Sequence, residues 1–262
     1  MVDTMIPRLS ALVTGASRGI GAAIARALAA RGVRVAVHYQ RNEAAARATL
    51  AALTGSGHRL VKGDLSDAAG AEAVWTAATG HLGPVGLLVN NAGIYETHPI
   101  LTCDFDGWQE AWTRTLGANL IGPAHLTFLA ARAMAAADLA DPGHGRGRVV
   151  AISSRGAFRG EPEAPAYGAS KAGLNALGQS LARALAPQAV YFFAVAPGWV
   201  ATDMAAEHLA GPAAAEILAQ HPLGRVADPD EIARTAVFCG LDAPAAMTGA
   251  IIDVNGASYL RT

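Results

Sequence analysis

Seven runs along the chain are nearly continuous in Val, Ile, Leu, Ala or Phe: SALVTG, VRVAVHY, HRLVKGD, VGLLVNNAG, RVVAISS, VYFFAVAPG and GAIIDVNG. A strand open to water on one face alternates apolar with polar residues, whereas a strand covered on both faces has no reason to. These runs therefore predict a parallel sheet enclosed by helices. They recur at intervals of roughly 25 to 30 residues, the spacing of strand–helix–strand units. The Ala- and Leu-rich segments between them predict helices over 20–31 (closed by Gly32), 42–53, 67–79, 106–138 with a break, 166–186 and 229–240. Right-handed crossovers build such a series into a doubly wound α/β sheet with helices on both faces. No low-complexity linker divides residues 1–262, which predicts one domain. Residues 199–223, rich in Ala, Gly and Pro after a strand end, read as an inserted flap, and 140–147 as a polar loop.

Composition narrows the function classes. Hydrophobic residues make up 52% of the chain and charged ones 16%, so much of it is buried, in protein or in lipid. No uninterrupted apolar run approaches the roughly 20 residues of a spanning helix, which excludes a membrane helix. The N-terminal stretch has an acid at Asp3 and no basic region ahead of an apolar core, so no signal peptide is expected. With a net charge of −1 and no basic stripe, nucleic acid is not an expected partner. Cys103 and Cys239 have no CxxC or His-rich surroundings; they predict buried or reduced thiols, no metal site and a cytoplasmic protein.

Two stretches carry candidate chemistry. The first strand runs into Thr14-Gly15-Ala16-Ser17-Arg18-Gly19-Ile20-Gly21 and then a helix, with glycines spaced G-x-x-x-G-x-G. Glycines let the backbone approach a pyrophosphate, and the helix N-terminus offers free N–H groups and positive potential. No Walker lysine follows, which argues against a mononucleotide phosphate loop. At the end of the second strand, where a carboxylate usually holds the ribose diol of NAD, the chain reads His38-Tyr39-Gln40-Arg41-Asn42. Arg41, with Arg18 in the turn, can instead clamp a 2′-phosphate, so NADP(H) is the expected cofactor.

In the second stretch Ser154 directly follows the apolar run RVVAIS, and Tyr167 and Lys171 stand four apart on a predicted helix opened by Pro165. Residues four apart share a helix face, so phenol and ammonium can meet, and a strand-end hydroxyl beside them can bind and protonate a carbonyl oxygen. Arg155 and Arg159 follow Ser154 closely; they either face the pocket and favour an anionic or polar substrate, or pair with Glu161 or Glu163. Tyr95, Phe158, Trp199, Met204 and His208 are candidate pocket walls. His98 and His208 are expected at the surface.

Taken with Asn90-Asn91-Ala92-Gly93 after the fourth strand, these motifs resemble the short-chain dehydrogenase/reductase family over nearly the whole length. Further matches are Gly63-Asp64-Leu65, Asn119 in WTRTLGANLIG, Pro197-Gly198-Trp199-Val200-Ala201-Thr202, Pro222-Leu223-Gly224-Arg225 and Asn255-Gly256. Ser154, rather than Ser153, stands thirteen residues before Tyr167, the usual family separation. The resemblance implies a single Rossmann-type domain of seven parallel strands that interconverts a carbonyl and a secondary alcohol by hydride transfer. It implies Tyr167 as acid and base, Lys171 lowering the phenol pKa and holding the nicotinamide ribose, and Ser154 binding the substrate oxygen. Asn119 would kink its helix and order a relay water. The Gly15–Gly21 turn, Ser17 and Ile20 included, would hold the pyrophosphate and Tyr39 would lie beside the adenosine. Asp64 and Leu65 would flank the adenine, Asn91, Ala92 and Gly93 the adenosine ribose, and Pro197, Gly198, Val200 and Thr202 the nicotinamide.

The substrate expected is a small carbonyl or alcohol. LAPQ after the catalytic helix and the PLGR segment resemble 3-oxoacyl-carrier-protein reductases, which makes a 3-oxoacyl thioester the alternative. Carrier docking would fall to Arg146 and Arg148, although Gln188 replaces a common basic residue. A scaffold that has lost catalysis is the remaining alternative. Family members pair through their two long helices, so a homotetramer (or a dimer) is expected, with Ala118, Gly122, Ala176 and Gly178 permitting close approach. Two departures stand out: Phe193 replaces a usual asparagine, and NGAS at 255–258 replaces a double glycine.

Overall fold

The computed structural model describes residues 9–137, 143–212 and 214–261. The first half runs β1 (Ser10–Val13), α1 (Gly19–Ala30), β2 (Arg34–Tyr39), α2 (Glu43–Ala51), β3 (Arg59–Lys62), α3 (Ala68–Leu82) and β4 (Leu87–Asn90). Then come α4 (Phe105–Leu116), α5 (Gly122–Ala135), β5 (Gly147–Ile152), the single turn α6 (Gly156–Arg159), α7 (Pro165–Leu185) and β6 (Val190–Pro197). The chain ends through α8 (Asp203–Ala210), α9 (Ala214–Ala219), α10 (Pro229–Val237) and β7 (Ile251–Val254). All seven strands join one sheet in the order β3-β2-β1-β4-β5-β6-β7, and every pairing is parallel. The expected doubly wound sheet is the one observed. The order reverses between β1 and β4, the switch point at which such sheets open a crevice at their carboxyl ends.

Continuous apolar strands make two cores. Ala11 and Val13 of β1, Val35 and Val37 of β2, and Leu87 and Val89 of β4 face the side covered by α1, α2 and α10. The alternate residues Leu12, Ala36 and Leu88 face the side covered by α3, α5 and α7. Each of these strand residues is fully buried, so neither face can carry a polar residue cheaply.

The expected break in the long fourth helix is a π turn over Gly117–Ile121 that joins α4 to α5. The extra residue of a π turn re-aims the side chains around it. Gly122, which was expected to admit a partner helix, instead lets α5 meet the loop after β3: a Cβ there would strike the Leu65 carbonyl oxygen. The predicted helix end at Asp138, residues 140–142 of the predicted loop, and the side chain of His208 lie outside the described residues. His98, expected at the surface, is buried; its Nε2 accepts from the Ala166 amide at 3.1 Å and holds the first turn of α7.

Both departures have local consequences. Phe193 sits in the core beneath the fully buried Arg148, whose guanidinium lies 5.6 Å from the ring centre. Arg148 also donates to the carbonyls of Gly143 (2.8 Å), His144 (3.1 Å) and Cys239 (2.9 Å). The last of these lies in a second π turn, Phe238–Asp242, where the apolar pattern predicts plain helix to Gly240. Arg148 is thus internal and cannot meet a carrier protein, while Arg146 spends its guanidinium on the Ala135 and Ala137 carbonyls at the end of α5. Ala257 stands at φ +60°, the left-handed region where a side chain is strained. Replacing it with glycine, Ala257→Gly, is expected to raise unfolding stability by about 1 kcal/mol in urea titrations; an unchanged or lower midpoint would contradict the strain.

Candidate active site

The cradle at the switch point is built by glycine. Gly15 and Gly19 adopt φ +61° and +56°. A Cβ on Gly15 would lie 2.9 Å from the Ala92 Cα, and one on Gly21 would strike the Gly15 carbonyl and lie 2.5 Å from Asn91 Nδ2. The loop after β4 clasps this turn: Thr14 Oγ1 accepts from the Asn91 and Ala92 amides, each at 2.9 Å. Asn91 Nδ2 donates to the carbonyls of Thr14 (2.8 Å) and Gly15 (3.1 Å). Arg18 precedes α1 without capping it, which leaves the first-turn N–H groups of the helix to an anion. A bare backbone cradle, no room for a Cβ and an uncapped helix start fit the pyrophosphate of a dinucleotide.

His38, which sequence reasoning passed over, supports the cradle from below. It is 2% exposed, its Nδ1 accepts from the Gly15 amide at 3.1 Å, and its Nε2 faces the Gly63 carbonyl at 3.2 Å. That pairing demands the neutral Nε2–H tautomer. A histidine near the buried end of VRVAVHY was the available signal.

Around the adenosine end, Asp64 accepts from the Ser66 amide at 2.9 Å, which with further hydrogen bonds holds its carboxyl below the usual range. Arg41 is exposed and close enough to Asp64 to contribute to that shift. Leu65 is buried, and Tyr39 is packed into the core. Arg18 reaches across to Asp203 of α8 at 3.3 Å. Both side chains of this pair are well exposed, so it costs little to open. Thr202 lies against the cradle as well, its Cγ2 3.3 Å from where a Cβ on Gly19 would be. Both contacts bring the start of the flap onto the glycine turn.

The four predicted reactive residues converge. Ser154 follows β5 by two residues, Tyr167 and Lys171 share a face of α7, and the Ser154 hydroxyl is close enough to the Tyr167 phenol to lower its pKa. Ser154 Oγ also accepts from the Gly156 amide at 3.0 Å, which fixes its rotamer. Lys171 is 4% exposed; its Nζ donates to the Ile152 carbonyl at 2.8 Å and lies 5.7 Å from the Tyr167 ring centre. Asn119, fully buried in the π turn, accepts from the Ile94 amide (2.8 Å) and donates to the Ile94 carbonyl (2.9 Å) and to Ser170 Oγ (3.2 Å). Ser170 Oγ in turn donates to the Tyr167 carbonyl at 2.7 Å. Ser170, unremarked in the sequence although it stands three residues after Tyr167, completes a chain from the π turn to α7. Gly93 permits the convergence: a Cβ there would lie 3.1 Å from Asn119 Oδ1 and 3.4 Å from Lys171 Nζ.

Burial acts on this cluster in opposite directions. It pushes the Tyr167 phenol up to about 12, against the smaller lowering by Ser154, and brings the Lys171 ammonium down to about 8. Both shifts favour the uncharged form, as removal from water must. Tyr95 packs edge-on against Tyr167, ring centres 5.0 Å apart, and burial raises its phenol to about 12 too. Of the other predicted walls, Phe158 lies under the Arg261 guanidinium at 4.4 Å and Trp199 is half-buried. Met204 is 51% exposed on α8. Cys239 is buried, its thiol pushed up to about 11 by that burial, and so is inert.

A cradle for a dinucleotide that opens onto a hydroxyl–phenol–ammonium cluster is the layout of a nicotinamide-dependent oxidoreductase working at a carbonyl or hydroxyl carbon. Residues 15–257 match the family described as Enoyl-(Acyl carrier protein) reductase. The 3-oxoacyl-[acyl-carrier-protein] reductase FabG of Escherichia coli is 36% identical over 250 residues, covering 95% of this chain and 97% of that protein. L-rhamnose 1-dehydrogenase (NAD(P)(+)) of Azotobacter vinelandii is 36% identical over 256 residues (95% and 96%). Acetoacetyl-CoA reductase of Rhizobium meliloti is 35% identical over 252 residues (95% and 98%). A solved structure from Sinorhizobium meliloti 1021, provisionally described as a short-chain alcohol dehydrogenase, superposes with a TM-score of 0.84 at 34% identity, covering 95% and 96% of the two chains. The chain belongs to the short-chain dehydrogenase/reductase family.

The His38 contacts carry a prediction of their own. Burial, opposed by the Gly63 carbonyl and by Asp64, lowers its pKa from 6.5 to about 4. A base whose folded pKa is depressed contributes its full stability above the unfolded value and loses it as pH falls. Stability should therefore decline from pH 6.5 towards about 4, by on the order of 3 kcal/mol. Urea unfolding across that range should show the decline in the wild type and a shallower one in His38→Asn. Parallel curves would contradict it.

Proposed function

We propose that the protein is an NADP(H)-dependent oxidoreductase that interconverts a small-molecule carbonyl and its secondary alcohol, with Tyr167 as the acid and base. The observation that carries this reading is the convergence of Ser154 and Tyr167 with the buried Lys171, whose Nζ donates to the Ile152 carbonyl and lies 5.7 Å from the Tyr167 ring centre. Ser154 holds the substrate oxygen against the phenol, and Tyr167 gives its proton to that oxygen in reduction and takes it back in oxidation. A phenol pushed up to about 12 is a secure proton store for reduction but a poor base. Lys171 eases its ionisation by favouring phenolate, and the two Nζ hydrogens not given to Ile152 are available to the nicotinamide ribose. The bound cofactor supplies or accepts the hydride.

Asn119 acts as a positioning residue. Both its amide hydrogens are donated, so only one acceptor site of Oδ1 remains for a relay water. The Gly15–Gly21 turn takes the pyrophosphate. Asp64 and Leu65 flank the adenine, and Asn91 serves by holding the turn's carbonyls. Arg41 and Arg18 take the 2′-phosphate once the exposed Arg18–Asp203 pair opens. Pro197, Gly198, Val200 and Thr202 cover the nicotinamide. We place the protein in the cytoplasm as one domain with its flap. It assembles into a homotetramer through its two long helices, α4–α5 and α7, where Ile121 of the π turn and Phe128 of α5 are 43% and 59% exposed.

A second reading, reduction of a 3-oxoacyl thioester, is favoured by the relatives FabG and acetoacetyl-CoA reductase. Docking of a carrier through Arg146 and Arg148 does not fit it, because both arginines are committed to backbone carbonyls.

Tyr167→Phe should lower carbonyl reduction by at least about a hundredfold while NADPH still binds, judged by NADPH oxidation and by cofactor fluorescence. Near-normal turnover would end the proton role. Arg41→Ala should raise the Michaelis constant for NADPH about tenfold and leave that for NADH nearly unchanged. A preference for NADH that survives the substitution would overturn the cofactor assignment.

A further inference from the structure

Immediately after Ser154 the chain buries a positive charge that, among the described residues, makes no ion pair of its own. Arg155 is 3% exposed, and its Nη2 donates to Gln220 Oε1 at 3.1 Å. Its Nη1 is buried with no partner among the described residues. Arg159, one turn on, sends Nη1 to the same Gln220 oxygen at 3.2 Å. Two guanidiniums thus converge on one neutral amide. The nearby carboxylate, Glu161, comes only within 4.0 Å of Arg159 Nε and makes no ion pair with Arg155. An uncompensated buried cation is unfavourable in a folded protein unless a ligand completes it. Burial and the neighbouring Arg159 bring the Arg155 pKa down to about 10, which reflects the same shortfall.

The location joins this pair to the reacting centre. The Arg155 amide donates to the Pro197 carbonyl at 2.8 Å, where the flap departs from β6. Gln220 lies just past α9, at the far end of the flap. A Cβ on Gly168, the residue after Tyr167, would lie 3.3 Å from the Gly156 carbonyl oxygen and 3.4 Å from the Glu161 amide nitrogen, so the turn that follows Arg155 packs against the start of α7. The arginines are therefore at the Tyr167 end of the cleft, opposite the adenosine end, and held by both ends of the flap.

We propose that Arg155 and Arg159, with Gln220 as the hinge of the pair, form a subsite for an anionic oxygen group of the substrate, a carboxylate or a phosphate carried close to the carbonyl. This rests on the carbonyl-reductase reading and narrows its substrate class. A guanidinium presents a planar fork of donors suited to either group. When the anion is bound, Nη1 of Arg155 gains a partner and the repulsion between the two cations is offset.

The test uses two matched pairs with NADPH: acetoacetate against methyl acetoacetate, and dihydroxyacetone phosphate against dihydroxyacetone, which lacks the phosphate. In at least one pair the anionic member should have the higher kcat/KM, by about tenfold or more. The carboxylate pair and the phosphate pair identify which group the subsite takes. Arg155→Met should reduce that preference about tenfold, chiefly through KM, with cofactor fluorescence reporting that the variant is folded. If that variant does not fold, the exposed Arg159→Met should reduce the preference in the same sense. Equal use of charged and neutral members, or a preference that survives both substitutions, overturns the subsite alone. Reduction of none of the four compounds overturns the reductase reading, and the subsite with it.

Discussion

The most demanding constraint in this fold is the placing of a phenol and an ammonium side by side, away from water, at the end of a parallel sheet. Desolvation pushes Tyr167 up and Lys171 down, and each group by itself would rather lose its charge than use it. Much of the surrounding structure meets that demand. The Ile152 carbonyl at the end of β5 receives the Lys171 ammonium. The Gly156 amide fixes Ser154, and the π turn delivers Asn119 to the backbone of Ile94 and, through Ser170, to α7. Removing the extra residue of that turn would rotate Asn119 out of register with both.

The cradle depends on contacts of a different kind. It is shaped by close backbone approach, and its supports are hidden ones: His38 beneath Gly15, Thr14 and Asn91 behind it. The flap then touches both ends of the cleft, at Arg18 and Gly19 through Asp203 and Thr202, and at Arg155 and Arg159 through Gln220. A segment held by exposed ion pairs and single hydrogen bonds is the part of such a molecule free to move over a ligand.

Much of this was legible in the residues. Continuous apolar runs announced strands buried on both faces, and the glycine turn, Ser154, Tyr167, Lys171 and Asn119 occupy places that spacing and family likeness assigned to them. What escaped depends on partners distant in the chain. The π turn at Phe238–Asp242 rests on Arg148 from β5, ninety-one residues before Cys239. His98 reads as a lone polar residue until the amide of Ala166 is found on its ring. Gly122 looks like a helix-packing glycine, yet the group it admits is the Leu65 carbonyl. The left-handed Ala257 violates a local preference, and no local reading would choose it.

The central claim is that burial keeps Tyr167 protonated in the free protein and that the oxidised cofactor, with Lys171, draws it towards phenolate. With five tyrosines in the chain, 13C labelling at the tyrosine ring carbon bearing the hydroxyl, assigned by Tyr167→Phe, can follow this phenol directly. The account predicts a resonance that remains that of a phenol to at least about pH 10 in the free protein and moves to phenolate at clearly lower pH once NADP+ is bound. Titration at the same pH with and without the cofactor would contradict it.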